Sequence, residues 1–198
     1  MSAAAAEHPL HQPSLLELAE RISRDFEGCR VEIIGSQLIV SPPADGSHAE
    51  SLTDLMVPFL AAGLHGEQAR VLQAIGLWLP DGPSDYVIPD LAVVDADYRD
   101  HLAEHGCYEP AVFRLVVEVT SANHRMDLMA KPTVYAGAGI PVYMIIDRRN
   151  RRVRVLTDPQ GGEYRVHAVH HPGQSFELPG SIGALVKLEV DGILGPEV

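Results

Sequence analysis

Cysteine is almost missing from this 198-residue chain: Cys29 and Cys107 stand far apart and outside any CxxC spacing. That excludes a disulfide scaffold and a cysteine zinc site, and it suits a reducing cytoplasm. No stretch reaches the ~18 consecutive apolar residues that a membrane span needs. The first residues lack both a basic segment and a long apolar one, so no secretory leader is expected. Lysine is scarce, with only Lys131 and Lys187. Basic residues number 15 against 27 acids, a net charge of −12, which argues against a protein that coats nucleic acid by bulk charge. There is no glycine-rich phosphate loop, no GxSxG elbow and no HExxH pair.

What remains is a globular composition, 46% apolar and 21% charged. The length suits one domain. Residues 1–13 carry no periodicity and read as a flexible tail, leaving 14–198 as a single domain. Ser14 is placed to cap a helix whose stripe is Leu15, Leu16, Leu18, Ala19 and Ile22. Two β-rich runs, 30–34 and 37–40, meet at Gly35-Ser36 and predict a hairpin. A helical pattern runs from Ser47 to about Ala62, with Pro58 expected to kink or shorten it. Strand-like segments follow at 69–79, 91–94 and 113–119, and a polar stretch at 97–109 suits a surface helix. A helix from about Met126 to Ala138 precedes an apolar strand at 142–146. Runs at 152–156, 164–169 and 185–190 predict an antiparallel C-terminal end. From Ser47 the order is helix-strand-strand-strand-helix-strand, which packs as an α/β (α+β mixed-sheet) domain.

Two acids sit where acids are costly. Glu118 lies in the apolar strand 115–119, and Asp90 immediately precedes the apolar run 91–94. Ionised carboxylates at a core edge need a partner or a metal, and two at adjacent strand ends repel unless a cation lies between them. Mg²⁺ (or Mn²⁺) accepts one or two carboxylates plus water and phosphate oxygens. Each acid taken alone reads equally well as a strand cap or an arginine partner.

An ordered set of residues then carries a likeness. It comprises the segment Glu32 to Pro43, His48, Pro89-Asp90, the segment Val116 to Ser121, Asp127, Lys131, Tyr135, and the segment Gly139 to Tyr143. In this set the chain resembles the Uma-two-type restriction endonuclease family, a branch of the PD-(D/E)XK nuclease-like superfamily, over about residues 14–190. The resemblance implies a restriction-endonuclease-like core of the order just read. It also implies an Mg²⁺ (or Mn²⁺) held by Asp90 and Glu118, with the Val119 carbonyl as a further ligand. The superfamily lysine two residues after the second acid is absent, since Thr120 stands there. The resemblance puts Lys131 in its place, and Pro132 requires Lys131 to lie near a helix start or a distortion. An ordinary surface lysine paired with Asp127 is the bland alternative.

Glu32 on the hairpin, Glu50 in the first turn of the second helix and His48 beside it are possible auxiliaries. Arg148, Arg149, Arg151, Arg152 and Arg154 place five of the fifteen basic residues in seven positions. They read as a phosphate grip that positions nucleic acid, or equally as a solvated hairpin protecting a sheet edge. His101 with His105, and His167 with His170 and His171, read as surface histidines. The expected function is a cytoplasmic metal-dependent endonuclease acting on DNA. The alternative is a catalytically silent nuclease-fold module that binds nucleic acid or a partner protein. A homodimer is the default assembly.

Overall fold

Ser14 caps the first helix, α1 (Leu15–Asp25), and forms a reciprocal capping box with Glu17. The computed structural model describes residues 12–120 and 125–195. The expectation of a flexible tail therefore lies almost wholly outside the described residues. The buried side of α1 packs Ala19, Leu15, Leu16 and Ile22 onto a hairpin. The hairpin pairs β1 (Arg30–Ile34) with β2 (Gln37–Ser41), from Arg30 opposite Ser41 to Ile34 opposite Gln37. Gly35 and Ser36 turn it, both at positive φ (57° and 59°), the geometry that suits a two-residue hairpin loop.

Asp45 caps the second helix, α2 (Gly46–Ala61), by accepting the His48 N–H. Pro58 does not end it. The proline falls in the last turn, where its missing N–H costs one bond and the helix still closes at Ala61. The strands β3 (Ala69–Gln73), β4 (Leu77–Trp78), β5 (Tyr86–Val87), β6 (Leu91–Asp95) and β7 (Phe113–Val119) follow. Next come helix α3 (Lys131–Gly137), β8 (Val142–Asp147), β9 (Arg152–Gln160), β10 (Glu163–His170), β11 (Ser175–Leu178), β12 (Val186–Glu189) and α4 (Val190–Leu194).

Six strands form the main sheet in the order β10-β9-β8-β7-β6-β3, and four form a second in the order β2-β1-β5-β4. Strands β11 and β12 pair separately. In the main sheet only β7 and β8 run parallel, and α3 lies on the crossover between them. The core is thus α2-β3-β6-β7-α3-β8, the helix-strand-strand-strand-helix-strand order read from the sequence. Leu115, Val117 and Val119 of β7 pack on the α2 side. Val116 faces the α3 side with Tyr135, Tyr143 and Ile145. Alternation puts Glu118 on that second face, toward α3.

Three expectations need revision. The run 69–79 is two strands in different sheets, broken where Ala74 takes φ 51° and Gly76 presses on Cys107. A Cβ on Gly76 would lie 2.6 Å from the Cys107 Sγ. The stretch 97–109 holds one 3-10 turn, Tyr98–His101, because His105 and Gly106 both turn left-handed. Strands β5 and β11 and helix α4 were not anticipated. Among the described residues no helix is long and apolar enough to cross a membrane.

Candidate active site

The register of β6 against β7 sets Leu91 opposite Val117, so Asp90 and Glu118 meet at the end of the ladder. The Val119 N–H donates to Asp90 Oδ2 at 2.7 Å. Strand β1 supplies Arg30 and Glu32, two residues apart and so on one face. Arg30 Nη2 lies 2.5 Å from Asp90 Oδ1, and its Nη1 lies 3.8 Å from Glu118 Oε2. Glu118 Oε1 accepts from Lys131 Nζ at 2.8 Å and from the Tyr135 hydroxyl at 2.6 Å. Glu32 Oε1 accepts the Ile88 N–H at 2.8 Å and stands 3.3 Å from Lys131 Nζ. Asp127 Oδ1 is 3.6 Å from the same ammonium, and His48 Nε2 is 3.4 Å from Asp90 Oδ1. Arg30, Glu32, His48, Asp90, Glu118, Asp127 and Lys131 line one cleft, whose other walls include Ile39, Pro42, Pro43 and Met126.

Pro132 shapes the wall that carries Lys131. Residues Met126–Ala130 form a single π-helical turn leading into α3, and the Lys131 N–H bonds the Met126 carbonyl. The next bond of that turn would join the Asp127 carbonyl to residue 132, which is proline and has no N–H. Tyr143 fills the gap, donating its hydroxyl to the Asp127 carbonyl at 2.9 Å. The distortion leaves Asp127, Lys131 and Tyr135 in one stripe facing Glu118.

Burial is nearly complete: Asp90 is 3% exposed, Glu118 1% and Lys131 3%. Four carboxylates (Glu32, Asp90, Glu118 and Asp127) face two permanent cations, Arg30 and Lys131. Two negative charges are left unmatched in a low-dielectric place. Burial, with Asp90, Asp127 and Glu32 nearby, pushes the Glu118 carboxyl up to about 8, although Lys131 pulls against it. Burial also pushes Asp127 up to about 6, again against Lys131. At Asp90 burial pushes the same way, but the neighbouring His48, the Arg30 charge and the Val119 N–H outweigh it and hold the carboxyl down at about 2. Burial disfavours the Lys131 ammonium, yet Glu118, Glu32 and Asp127 hold its pKa above the ordinary value.

Residues 14–191 match the family Uma2, described as "Putative restriction endonuclease". The chain belongs to the Uma2 family. A solved structure from Anabaena variabilis, titled a "putative nuclease belonging to DUF820", is similar at a TM-score of 0.64 and 17% identity. The match covers 83% of this chain and 89% of that one, and it bears on the fold. No curated protein matches the chain significantly.

In this Uma2 protein Asp90, Glu118, Val119, Lys131, Glu32 and His48 all reach the cleft. Glu50 does not. It is exposed on α2, because two residues along a helix from His48 turns it to nearly the opposite face. The arginine loop is largely engaged within the protein. Arg148 bonds Asp45 at 3.1 Å, Arg152 bonds Asp147 at 2.9 Å, and Arg151 bonds the Gly195 carbonyl at 2.8 Å. Arg149 is exposed. His101 and His105 contact Glu109 and Glu20. Arg30 and Tyr135 were not foreseen as site residues. Their available signals were an arginine two residues before a buried glutamate, and a tyrosine four residues after Lys131.

The donor set fits a divalent cation. A 2+ ion would supply the two charges that the cleft lacks, in the place where burial raises the Glu118 and Asp127 carboxyls. Among the described residues no three His, Cys, Asp or Glu side chains yet converge on one point. The Arg30 guanidinium reaches both Asp90 and Glu118 and holds the position between them.

Proposed function

We propose that this protein is a metal-dependent endonuclease that hydrolyses phosphodiester bonds in DNA. The observation that carries the reading is the buried cleft with two unmatched negative charges, set at the strand ends where Asp90 and Glu118 meet. Family membership supports it independently. Asp90 and Glu118, with the Val119 carbonyl, would hold Mg²⁺ or Mn²⁺, which would lower the pKa of a water and offset charge on the phosphate.

The chain's own residues do the positioning. The Val119 N–H fixes one oxygen of Asp90, and Lys131 with Tyr135 fixes one of Glu118. Lys131 brings a compact charge with three donors. It faces Glu118, Glu32 and Asp127 at 2.8, 3.3 and 3.6 Å, and the donor on the longest of these contacts would turn to the attacking water or a phosphate oxygen. Glu32, held by the Ile88 N–H, keeps that ammonium aimed. Arg30 carries a planar guanidinium suited to two phosphate oxygens at once. It is placed to take them when the carboxylates turn to the ion.

The test is cleavage of supercoiled plasmid and single-stranded DNA with Mg²⁺ or Mn²⁺, beside Asp90→Ala and Lys131→Ala. Cutting by the wild type, reduced at least about a hundredfold in both variants, is the expected result. A folded, metal-loaded wild type that cuts neither substrate contradicts the reading.

A further inference from the structure

His48 is the anomaly of the cleft. The residue is 4% exposed, it lines the cleft wall, and neither ring nitrogen has a hydrogen-bond partner. Buried polar atoms left unpaired are costly, so each one that persists calls for an explanation. The backbone that carries the ring is anchored. Its own N–H is held by Asp45 at 2.7 Å, in the first turn of α2. Nε2 stands 3.4 Å from Asp90 Oδ1, a contact that fails hydrogen-bond geometry.

That separation has another meaning. Two donor atoms each about 2.1 Å from one ion, at angles near 90–110°, lie roughly 3.0–3.5 Å from one another. The Nε2–Oδ1 pair has the spacing of one edge of a coordination sphere. We infer that His48 Nε2 is a protein ligand of the divalent ion together with Asp90, and that the site is therefore selective for Mn²⁺ over Mg²⁺. The ring proton then resides on Nδ1, and Arg30 leaves Asp90 Oδ1 as the ion arrives. Imidazole nitrogen suits first-row transition ions, whereas Mg²⁺ keeps to oxygen donors. Mn²⁺ accepts the mixed set. This inference rests on the metal-dependent reading above and specifies its donor set and its ion.

The test needs no nucleic acid. The full chain is titrated calorimetrically with Mn²⁺ and with Mg²⁺, and the Mn²⁺ complex is examined by pulsed electron paramagnetic resonance for nitrogen coupling. The same measurements are made on His48→Asn and His48→Ala. Wild type is expected to show directly bound imidazole nitrogen, and both variants to lose it. Their Mn²⁺ affinity should fall about tenfold or more while Mg²⁺ affinity changes less than about threefold. Mn²⁺ binding to wild type without nitrogen coupling overturns the His48 role and leaves the metal-dependent reading standing. Coupling that persists in His48→Asn overturns it as well. Absence of Mn²⁺ binding up to millimolar concentration overturns both. Should a variant fail to fold, the wild-type spectrum alone decides.

Discussion

Lys131 Nζ lies 2.8 Å from Glu118 Oε1 and 3.3 Å from Glu32 Oε1, with all three groups buried. One ammonium therefore holds together carboxylates that come from β7 and β1, two different sheets. Lys131→Met keeps the stem and deletes the charge. It leaves buried carboxylates uncompensated, a loss of about 3–5 kcal/mol when one partner of such a pair is removed. Urea unfolding at pH 8 should show that loss. At pH 5 the loss should shrink, because protonated carboxyls no longer need the cation.

Acid and base act oppositely on Glu118 and Asp127 on one side and Asp90 on the other. Glu118 is raised to about 8 and Asp127 to about 6, so both favour the folded state while protonated. Their contribution is full below the ordinary carboxyl range and is lost as pH rises through 6 and then 8. Asp90 is lowered to about 2, so its contribution is present above the ordinary range and is lost as pH falls toward 2. Metal-free protein should be most stable in mildly acidic solution and weaken toward pH 8. Divalent-ion affinity should move the other way, rising up to about tenfold per pH unit below 8 as the ion displaces the Glu118 proton. Calorimetric titrations at pH 6, 7 and 8 check this.

Tyr143 and Pro132 form a coupled pair through the Asp127 carbonyl. Tyr143→Phe strands a buried carbonyl and should cost about 1–3 kcal/mol. Pro132→Ala restores a backbone donor at that point of the turn. The double variant should recover at least half of the loss, and a double-mutant cycle on denaturant unfolding measures it. Simple additivity would show that the π-turn has another cause.

Arg30 contacts both Asp90 and Glu118, so under the proposed function it would compete with the ion for them and also meet the phosphate. Arg30→Gln should therefore bind Mn²⁺ several-fold more tightly yet cut DNA at least about tenfold more slowly. Metal affinity and cleavage rate measured on one preparation separate the two effects.

Much of this site was readable from the chain. Asp90 and Glu118 stand out because apolar strands tolerate no idle acids, and Lys131 because it is one of two lysines. The core order followed from hydrophobic periodicity. Arg30 and Glu32 were harder to place because β1 pairs with β5, a two-residue strand too short to carry a pattern. Asp127 looked like a simple helical neighbour of Lys131, since nothing local says that the intervening turn is π-helical. Glu50 was a candidate for its place in the first turn of the second helix, and that place alone does not say which helix face it occupies; it lies exposed, outside the cleft lining.

The central claim is that the carboxylate cleft performs phosphodiester hydrolysis rather than only binding nucleic acid. Nicking of supercoiled plasmid in Mn²⁺ by the wild type and by Glu118→Gln tests it most directly, because glutamine preserves the shape and one acceptor oxygen while removing the charge. The account predicts metal-dependent nicking by the wild type and a loss of at least about a hundredfold in Glu118→Gln. Equal nicking by the two proteins, or metal-loaded wild type that binds DNA and leaves it intact, would contradict it.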